Sequence, residues 1–402
     1  MFGRNPSPLN EFDQLLVPAE DNAYRSYTLM QLARRLWRGV SSFGMASLHY
    51  ITQRGPYQDG ESILDIRFDP RIIQLLIADW QWCRTDTWNK RNDILDYIRP
   101  NRSFGEDGVV RPLVYRKWLP SGKIEAGCDL VTTNGSNTVR SAMGRFVGNG
   151  LEAGHAFTIT TGADAGTYVI NQVPNDYTLV LSANMAADAT NVCWQYRRGW
   201  GKRDLYCLVE EGPVFNEGPD GLSFAPTGFK ETIRLIAHDP FWYGLQQTET
   251  WALDTNLGDL VFDGEGAWFG ASPGAGRWLF APTFIGESVA VVYWGTRFAK
   301  PTIEIDGPAT SPLVQNSTTG DTLSLDYTVA VGETVTINTL AQTVTNNAST
   351  NLLSFLSGNL ATFKLAAAPQ APYRQNEIYV SFSDATADSA ARMSWKNRYV
   401  GI

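Results

Sequence analysis

The side chains that most often carry enzymatic chemistry are few and isolated in this 402-residue chain. The three histidines, His49, His155 and His238, include no two at the spacing of a metal-ligand pair. Acid–base catalysis by histidine needs a positioned partner, and the sequence indicates none. A glycine-rich phosphate loop ending in Gly-Lys-Ser/Thr and a His-Glu-x-x-His zinc motif are both absent. We therefore predict no catalytic residues, no cofactor, no metal and no enzymatic activity.

Four cysteines, Cys83, Cys128, Cys193 and Cys207, have no Cys-x-x-Cys spacing, which argues against a structural zinc site. Buried, reduced thiols are the default expectation. The alternative for Cys128 and Cys193 is a disulfide, because these two positions stand near the ends of a segment that we interpret below as an insertion. Two packed thiols remain the favoured interpretation.

Composition places the chain among folded, β-rich proteins. Hydrophobic residues make up 43% and charged residues 18%, which excludes a disordered chain, and 36 glycines beside 12% aromatics indicate strands joined by many turns. The net charge is −8, and the sequence has no segment in which basic residues are concentrated, so we predict no nucleic-acid partner. The longest apolar run, 72–78, is too short for a membrane span, and the first residues lack the apolar region of a secretory signal.

Two groups of residues are candidates for contacts with other subunits. A basic cluster could line an electropositive face of an assembly, or it could be an ordinary solvated surface. An aromatic run that looks exposed could form an interface or a domain junction, or it could be packed core. The basic cluster is Arg34, Arg35 and Arg38, and the aromatic run is Trp194, Tyr196 and Trp200.

The elements that would position these residues are mostly strands. Apolar residues alternate with polar ones from residue 61 to residue 77, which predicts strands. Trp88, Ile94, Leu95 and Ile98 fall on one helical face, so we predict a single helix over 87–98 with Thr85 or Asp86 as its cap.

The sequence predicts a domain inserted into a hairpin. The strand pattern near 110–120 ends in a turn signature, but the best returning strand, 203–210, comes about 80 residues later. The residues between them form short strand patterns separated by turns every 8–12 residues, which is typical of a small barrel or sandwich. Hairpin tips tolerate insertions. We therefore divide the chain into an N-terminal β unit in two parts, 1–123 and 201–250, an insert at 124–200, a connector at 251–300 and a C-terminal sandwich at 301–402.

An ordered series of motifs resembles the distal tail proteins of long-tailed, non-contractile (siphovirus-like) bacteriophages. The resemblance covers the chain outside 124–200. Its motifs are RDLYCLVEEGP at 203–213, IRLIAHDPFWYG at 233–244, PTIEIDGP at 301–308, GETVTINT at 332–339, NLLSFLSGN at 351–359 and MSWKNRYVGI at 393–402.

The resemblance implies a structural role in the virion, at the tail tip, after assembly in the host cytoplasm. It implies a hexameric ring that joins the tail tube to the baseplate or tail-fibre hub. Its N-terminal domain would be a β-barrel or sandwich with one helix, and its C-terminal domain a galectin-like β-sandwich. The implied partners are further copies of the chain, the tail tube protein, the tail-associated hub protein, the tape-measure protein, and receptor-binding or side-fibre proteins.

A carbohydrate-binding accessory module for host attachment is the alternative function, with host glycans as partners. Aromatic rings stack on sugar faces, and a galectin-like sandwich offers a concave sheet. Against this, residues 301–402 contain a single tryptophan, Trp395, close to the C-terminus. The inserted domain has no role assigned by the resemblance.

Overall fold

A computed structural model shows a mainly β protein, as the sequence predicts. The structure describes residues 14–18, 24–28, 34–36, 44–54, 56, 59–80, 84–99, 110–118, 124–197, 202–213, 228–252, 260–262, 278–280, 284–383 and 389–402. Within these ranges one α-helix accompanies 28 strands. A closed barrel of six strands is the inserted element that the sequence suggests.

The N-terminal unit is a curled sheet that encloses its own core. Its strands β1, β7, β14, β15 and β6 pair in that order, and the helix covers the core with Ile94 and Ile98. The bounds are β1 Gln14–Pro18, β2 Tyr24–Thr28, β3 Arg34–Leu36, β4 Leu48–Gln53, β5 Ser62–Phe68, β6 Arg71–Trp80, α1 Arg84–Ile98, β7 Leu113–Trp118, β14 Lys202–Glu211, β15 Gly228–Ala237 and β16 Trp242–Ala252.

The predicted helix exists but begins earlier than the sequence indicated. It starts at Arg84, so Thr85 and Asp86 lie inside its first turn and are not its cap. An acidic residue in a first turn interacts favourably with the exposed N–H groups there. The predicted end at Ile98 is confirmed.

The long-range hairpin that flanks the insert is confirmed. Strand β7 pairs antiparallel with β14, from Lys202 opposite Trp118 to Cys207 opposite Leu113. Leu113 and Tyr115 of β7 and Leu205 and Cys207 of β14 are buried in the N-terminal core. The inserted residues therefore leave and re-enter the sheet at neighbouring points.

The insert folds around an aromatic core. Its strands close in the order β10, β11, β12, β9, β8, β13, and β13 pairs back to β10. Phe146, Phe157, Trp194 and Tyr196 pack against one another, with ring centroids 5.4–6.1 Å apart. The bounds are β8 Ile124–Thr132, β9 Thr138–Ser141, β10 Ala156–Ile159, β11 Gly166–Asn175, β12 Thr178–Leu181 and β13 Ala189–Arg197.

The favoured expectation of two packed thiols in the insert is wrong. Cys128 and Cys193 form a disulfide between the paired strands β8 and β13. The register of that pair brings the two Cα atoms to 3.8 Å, which the sequence spacing of 65 residues could not reveal. Cys207 is a buried free thiol, as expected, and its burial raises its pKa. Cys83 lies outside the described residues.

The C-terminal sandwich packs two sheets face to face. One contains β28, β20, β24 and β25, and the other contains β19, β27, β21, β22 and β26. Alternating burial in β20, β24 and β28 follows the period of two in their sequences. The bounds are β17 Leu260–Phe262, β18 Trp278–Phe280, β19 Phe284–Val292, β20 Thr302–Asp306, β21 Ala309–Asn316, β22 Asp321–Leu325, β23 Thr328–Val329, β24 Thr334–Asn338, β25 Thr343–Asn346, β26 Leu356–Gly358, β27 Gln375–Ser383 and β28 Ala390–Tyr399.

One strand pair belongs to both large units. Strand β16 pairs with β28 from Trp242 opposite Tyr399 to Ala252 opposite Ala390. Trp251, near one end of the pair, and Trp395, near its middle, enter the sandwich core, and Trp242 and Tyr399, at the other end, enter the N-terminal core. The last strand of the chain therefore completes the first unit of the chain.

This sharing predicts that a change near the C-terminus destabilises the N-terminal unit. Tyr399→Ala should lower the free energy of unfolding by about 3–5 kcal/mol, because it leaves a cavity in a packed core. The exposed Tyr50→Ala should change that free energy by less than about 0.5 kcal/mol. Urea unfolding of both full-length variants measures the difference. Equal stability of the two variants would contradict the shared core.

Candidate assembly surface

A two-stranded hairpin is the most unusual surface of the described residues. Strands β4 and β5 pair with each other and with no other described strand. Every residue of β5 before Phe68 is exposed, yet the hairpin carries several large apolar side chains. Their exposed fractions are 49% for Tyr50, 62% for Ile63, 60% for Leu64 and 44% for Ile66. We call these two strands, residues 48–53 and 62–68, the arm.

The apolar side chains of the arm concentrate on one face. Tyr50 stands opposite Ile66, and Leu48 stands opposite Phe68. Directly opposed residues and residues two apart share a face of a ribbon, so these four lie together. The other face carries polar pairs such as His49 opposite Arg67. An isolated hairpin is marginally stable in water, and an exposed apolar face of this kind is typical of an interaction site.

A buried arginine fixes the base of the arm. The Arg71 guanidinium, 2% exposed, donates hydrogen bonds to the carbonyl oxygens of Pro240 at 2.8 Å, Gly44 at 2.6 Å and Val400 at 2.8 Å. Burial lowers the pKa of this guanidinium. One side chain thus ties the start of the arm, the turn before β16 and the C-terminal end to one another.

Close packing reinforces this base. A Cβ atom on Gly401 would lie 2.9 Å from the backbone of Gly44. The close approach of the residues before the arm to the C-terminal residues therefore requires glycine at position 401. On the arm's other strand, Phe68 packs edge-on against Phe241 with ring centroids 5.0 Å apart. The Arg297 guanidinium lies 5.4 Å from the Phe68 ring centroid. The arm therefore projects from a fixed base.

A buried carboxylate of the insert binds to the shared strands β16 and β28. Asp176, fully buried, accepts hydrogen bonds from the Gly148 amide at 2.5 Å within the insert. It also accepts hydrogen bonds from Gln247 at 2.6 Å on β16 and from Asn397 at 2.8 Å on β28. A buried carboxylate is costly unless its oxygens are hydrogen-bonded, and these donors satisfy both of them.

A second buried carboxylate lies outside the insert, on β16, and accepts hydrogen bonds from side chains of the insert. Glu249 on β16, 4% exposed, accepts hydrogen bonds from Asn175 at 3.0 Å, from Arg140 at 3.3 Å and from the Tyr177 hydroxyl. Burial and the Glu249 charge raise the pKa of Tyr177, so its phenol stays protonated as a donor. At the rim, Arg145 of the insert and Arg374 of the sandwich each lie 5.0 Å from the centroid of the Trp294 ring.

The two predicted interface groups meet different outcomes. Trp194 and Tyr196 are 2% and 3% exposed in the insert core, so the expectation of an exposed aromatic run is wrong for these two rings. Their polar atoms are bonded internally: the Trp194 indole donates to Asp129 and the Tyr196 hydroxyl donates to the Gly144 carbonyl.

The remaining members of these groups stay untested. Arg34 and Arg35 lie in the short strand β3, opposite Asp79 and Ala78 of β6, and their role as interface residues stays a prediction. Arg38 and Trp200 lie outside the described residues.

The sequence reasoning missed the arm as a surface. Its alternating pattern gave the strands, but an apolar alternation looks the same whether its face is covered within the chain or left open. The signal that could have suggested it is the apolar series Ile63, Leu64 and Ile66, which begins three residues after the turn residue Gly60.

The described residues hold no group of three or more histidine, cysteine or acidic side chains that could bind a metal ion. His49, His155 and His238 are all exposed. Among the same residues, no helix is both long and apolar enough to cross a membrane.

Comparison with known proteins gives similarities of fold. No protein-family model matches the chain, and no curated protein matches it. The chain is similar to the crystal structure of the SPP1 Dit (gp 19.1) protein, with a TM-score of 0.44, 10% identity, and 96% of this chain and 99% of that one covered. A chain of the phage P2 baseplate in its activated conformation with Ca has a TM-score of 0.39 and 11% identity, with 97% of this chain and 99% of that one covered.

The three hydrogen bonds of Arg71 predict that its substitution loosens the arm. Arg71→Met should lower the free energy of unfolding by about 3 kcal/mol, since it leaves buried carbonyl oxygens without donors. It should also speed amide hydrogen exchange across residues 48–68. Arg67→Met, on the exposed part of the arm, is the matched control and should change neither quantity appreciably. Unchanged exchange in Arg71→Met would show that the arm is held by other contacts.

The contact between insert and body yields a prediction about Asp176. Asp176→Ala should cost about 3 kcal/mol of stability, because Gln247, Asn397 and the Gly148 amide lose a buried acceptor. Asp188→Ala removes one exposed hydrogen bond in the insert and should cost less than about 1 kcal/mol. Thermal unfolding compares the two variants, and a smaller effect at Asp176 than at Asp188 would refute the assignment.

Proposed function

We propose that this chain is a structural subunit of a phage tail tip, in which six copies close into a ring between the tail tube and the baseplate or tail-fibre hub. The arm is the observation that carries the proposal. The ordered motifs at 203–213, 233–244, 301–308 and 332–339, which resemble distal tail proteins, support it independently. The role is non-enzymatic, and the tail tube, hub and tape-measure proteins are its proposed partners.

The arm has the properties that a ring contact requires. A ring closes through a heterologous contact, in which one surface of a subunit meets a different surface of the next. A projecting arm with a fixed base satisfies this condition, because it can reach a neighbour without an equivalent arm reaching back. Burying the exposed apolar side chains of the arm on a neighbour would remove Tyr50, Ile63, Leu64 and Ile66 from water, at about 25 cal/mol per Å².

The rigid body behind the arm fits the same role. The insert is fastened by Asp176 and Glu249, and the two large units share β16 and β28. A subunit of this kind transmits the geometry of one contact to the next, so that six identical contacts close instead of spiralling.

The proposal predicts that charges on the apolar face of the arm abolish assembly. Tyr50→Asp and Ile66→Asp should convert rings to monomers, because each places a carboxylate in an apolar interface. The folded monomer should retain its thermal midpoint, since both side chains are exposed within one chain. Analytical ultracentrifugation gives the mass of each variant.

His49→Asp is the matched control, since it adds the same charge on the opposite face of the same strand. It should leave the ring intact. If Tyr50→Asp and His49→Asp assemble equally, the apolar face of the arm is not the ring contact.

A further inference from the structure

A polar groove lies on the face of the shared sheet that is turned away from the insert and from both cores. Its volume is about 410 Å³, which lies within the range of small-ligand pockets. It crosses strands β14, β16, β28, β20 and β24, so both large units line it. The lining side chains that the argument uses are Tyr206, Gln246, Lys300, Asn338, Ser394 and Lys396.

We propose that this groove binds an acidic sugar residue, with Lys300 and Lys396 holding its carboxylate and the neighbouring amides and hydroxyls holding its hydroxyl groups. The proposal goes beyond the ring-forming role, and the site is complete within one chain.

Both lysines line the same groove. Lys396 lies on β28 two residues beyond Ser394, and Lys300 lies two residues before Thr302, the residue that stands opposite Ser394. Like charges in one groove are unfavourable unless an anion compensates them. Among the described residues, neither ammonium group forms an ion pair with a carboxylate, and the Lys396 ammonium donates instead to the Tyr206 hydroxyl at 2.6 Å.

The one acidic side chain of the groove is already engaged. Both Asp239 oxygens lie 3.0 Å from the Arg398 guanidinium, and the Tyr243 hydroxyl donates to Asp239 as well. Burial and the Asp239 charge raise the pKa of Tyr243, which keeps this phenol a neutral donor. The Asp239 charge is therefore matched by Arg398, and Lys300 and Lys396 leave the groove with a net positive charge. The whole chain, in contrast, has a net charge of −8.

The rest of the lining favours a sugar over a bare anion. Gln246 stands opposite Lys396, and Asn338 and Ser394 add an amide group and a hydroxyl group to the lining, so the groove offers hydrogen-bonding groups beside its positive charges. Leu340, 64% exposed, forms an apolar edge of the same groove. Hydrogen-bonding groups around an apolar edge suit a ligand that has many hydroxyl groups and an apolar ring face.

The test measures binding of tri-galacturonate to the full-length protein by isothermal titration calorimetry. We expect saturable binding that weakens as ionic strength rises, because salt screens exposed charges. Lys300→Gln and Lys396→Gln should each weaken binding about tenfold, since each removes a charge-assisted hydrogen bond. Lys364→Gln makes the same charge change outside the groove and should leave the affinity unchanged. Lys300→Gln alone decides the test if Lys396→Gln does not fold.

The competing ligands give the outcomes that would overturn the proposal. Equal binding of neutral galactotriose would remove the role of the lysines. Equal binding of inorganic phosphate or of triglutamate would make the groove a general anion site or a peptide site. No binding of tri-galacturonate, or equal affinity in the wild type and the Lys300→Gln variant, would also refute it.

Discussion

The antiparallel pairing of β16 with β28 is the interaction on which the rest of the structure depends. One face of this strand pair meets three neighbours in turn: the sandwich core at Trp251 and Trp395, the insert at Gln247 and Glu249, and the N-terminal core at Trp242 and Tyr399. Because side chains of a strand alternate between faces, the opposite face of the same pair is left to form the polar groove. The same two strands therefore complete both large units, contact the insert and line the groove.

The contacts along this pair differ in kind, and the difference has a physical reason. The two large units bury tryptophan and other apolar side chains, which gives strong but nondirectional stabilisation. The insert is held by buried carboxylates with directional hydrogen bonds, which fix its orientation once every donor and acceptor is paired. The arm has features of both kinds: Arg71 orients its base through hydrogen bonds to three carbonyl oxygens, and beyond the base its apolar side chains are exposed in the part of the chain that the structure describes.

Features that depend on local pattern could be predicted from the sequence, and features that depend on long-range register could not. Alternation predicted the strands, helical spacing predicted the helix that ends at Ile98, and turn chemistry predicted that β7 continues into β14 after the insert. Aromatic content alone could not show that Trp194 faces inward, and spacing could not show that Cys128 meets Cys193 across a strand pair. The partners of Asp176, which are Gly148, Gln247 and Asn397, lie 28, 71 and 221 residues away along the chain, so no motif marks them.

We propose that the subunit closes into a ring through its apolar arm, and negative-stain electron microscopy of the purified full-length protein distinguishes a ring from a monomer. Closed rings with sixfold symmetry and a central opening are expected, at a particle mass of six times the 44.5 kDa chain. Compact single-chain particles at micromolar concentration, or open filaments of variable length, would contradict it.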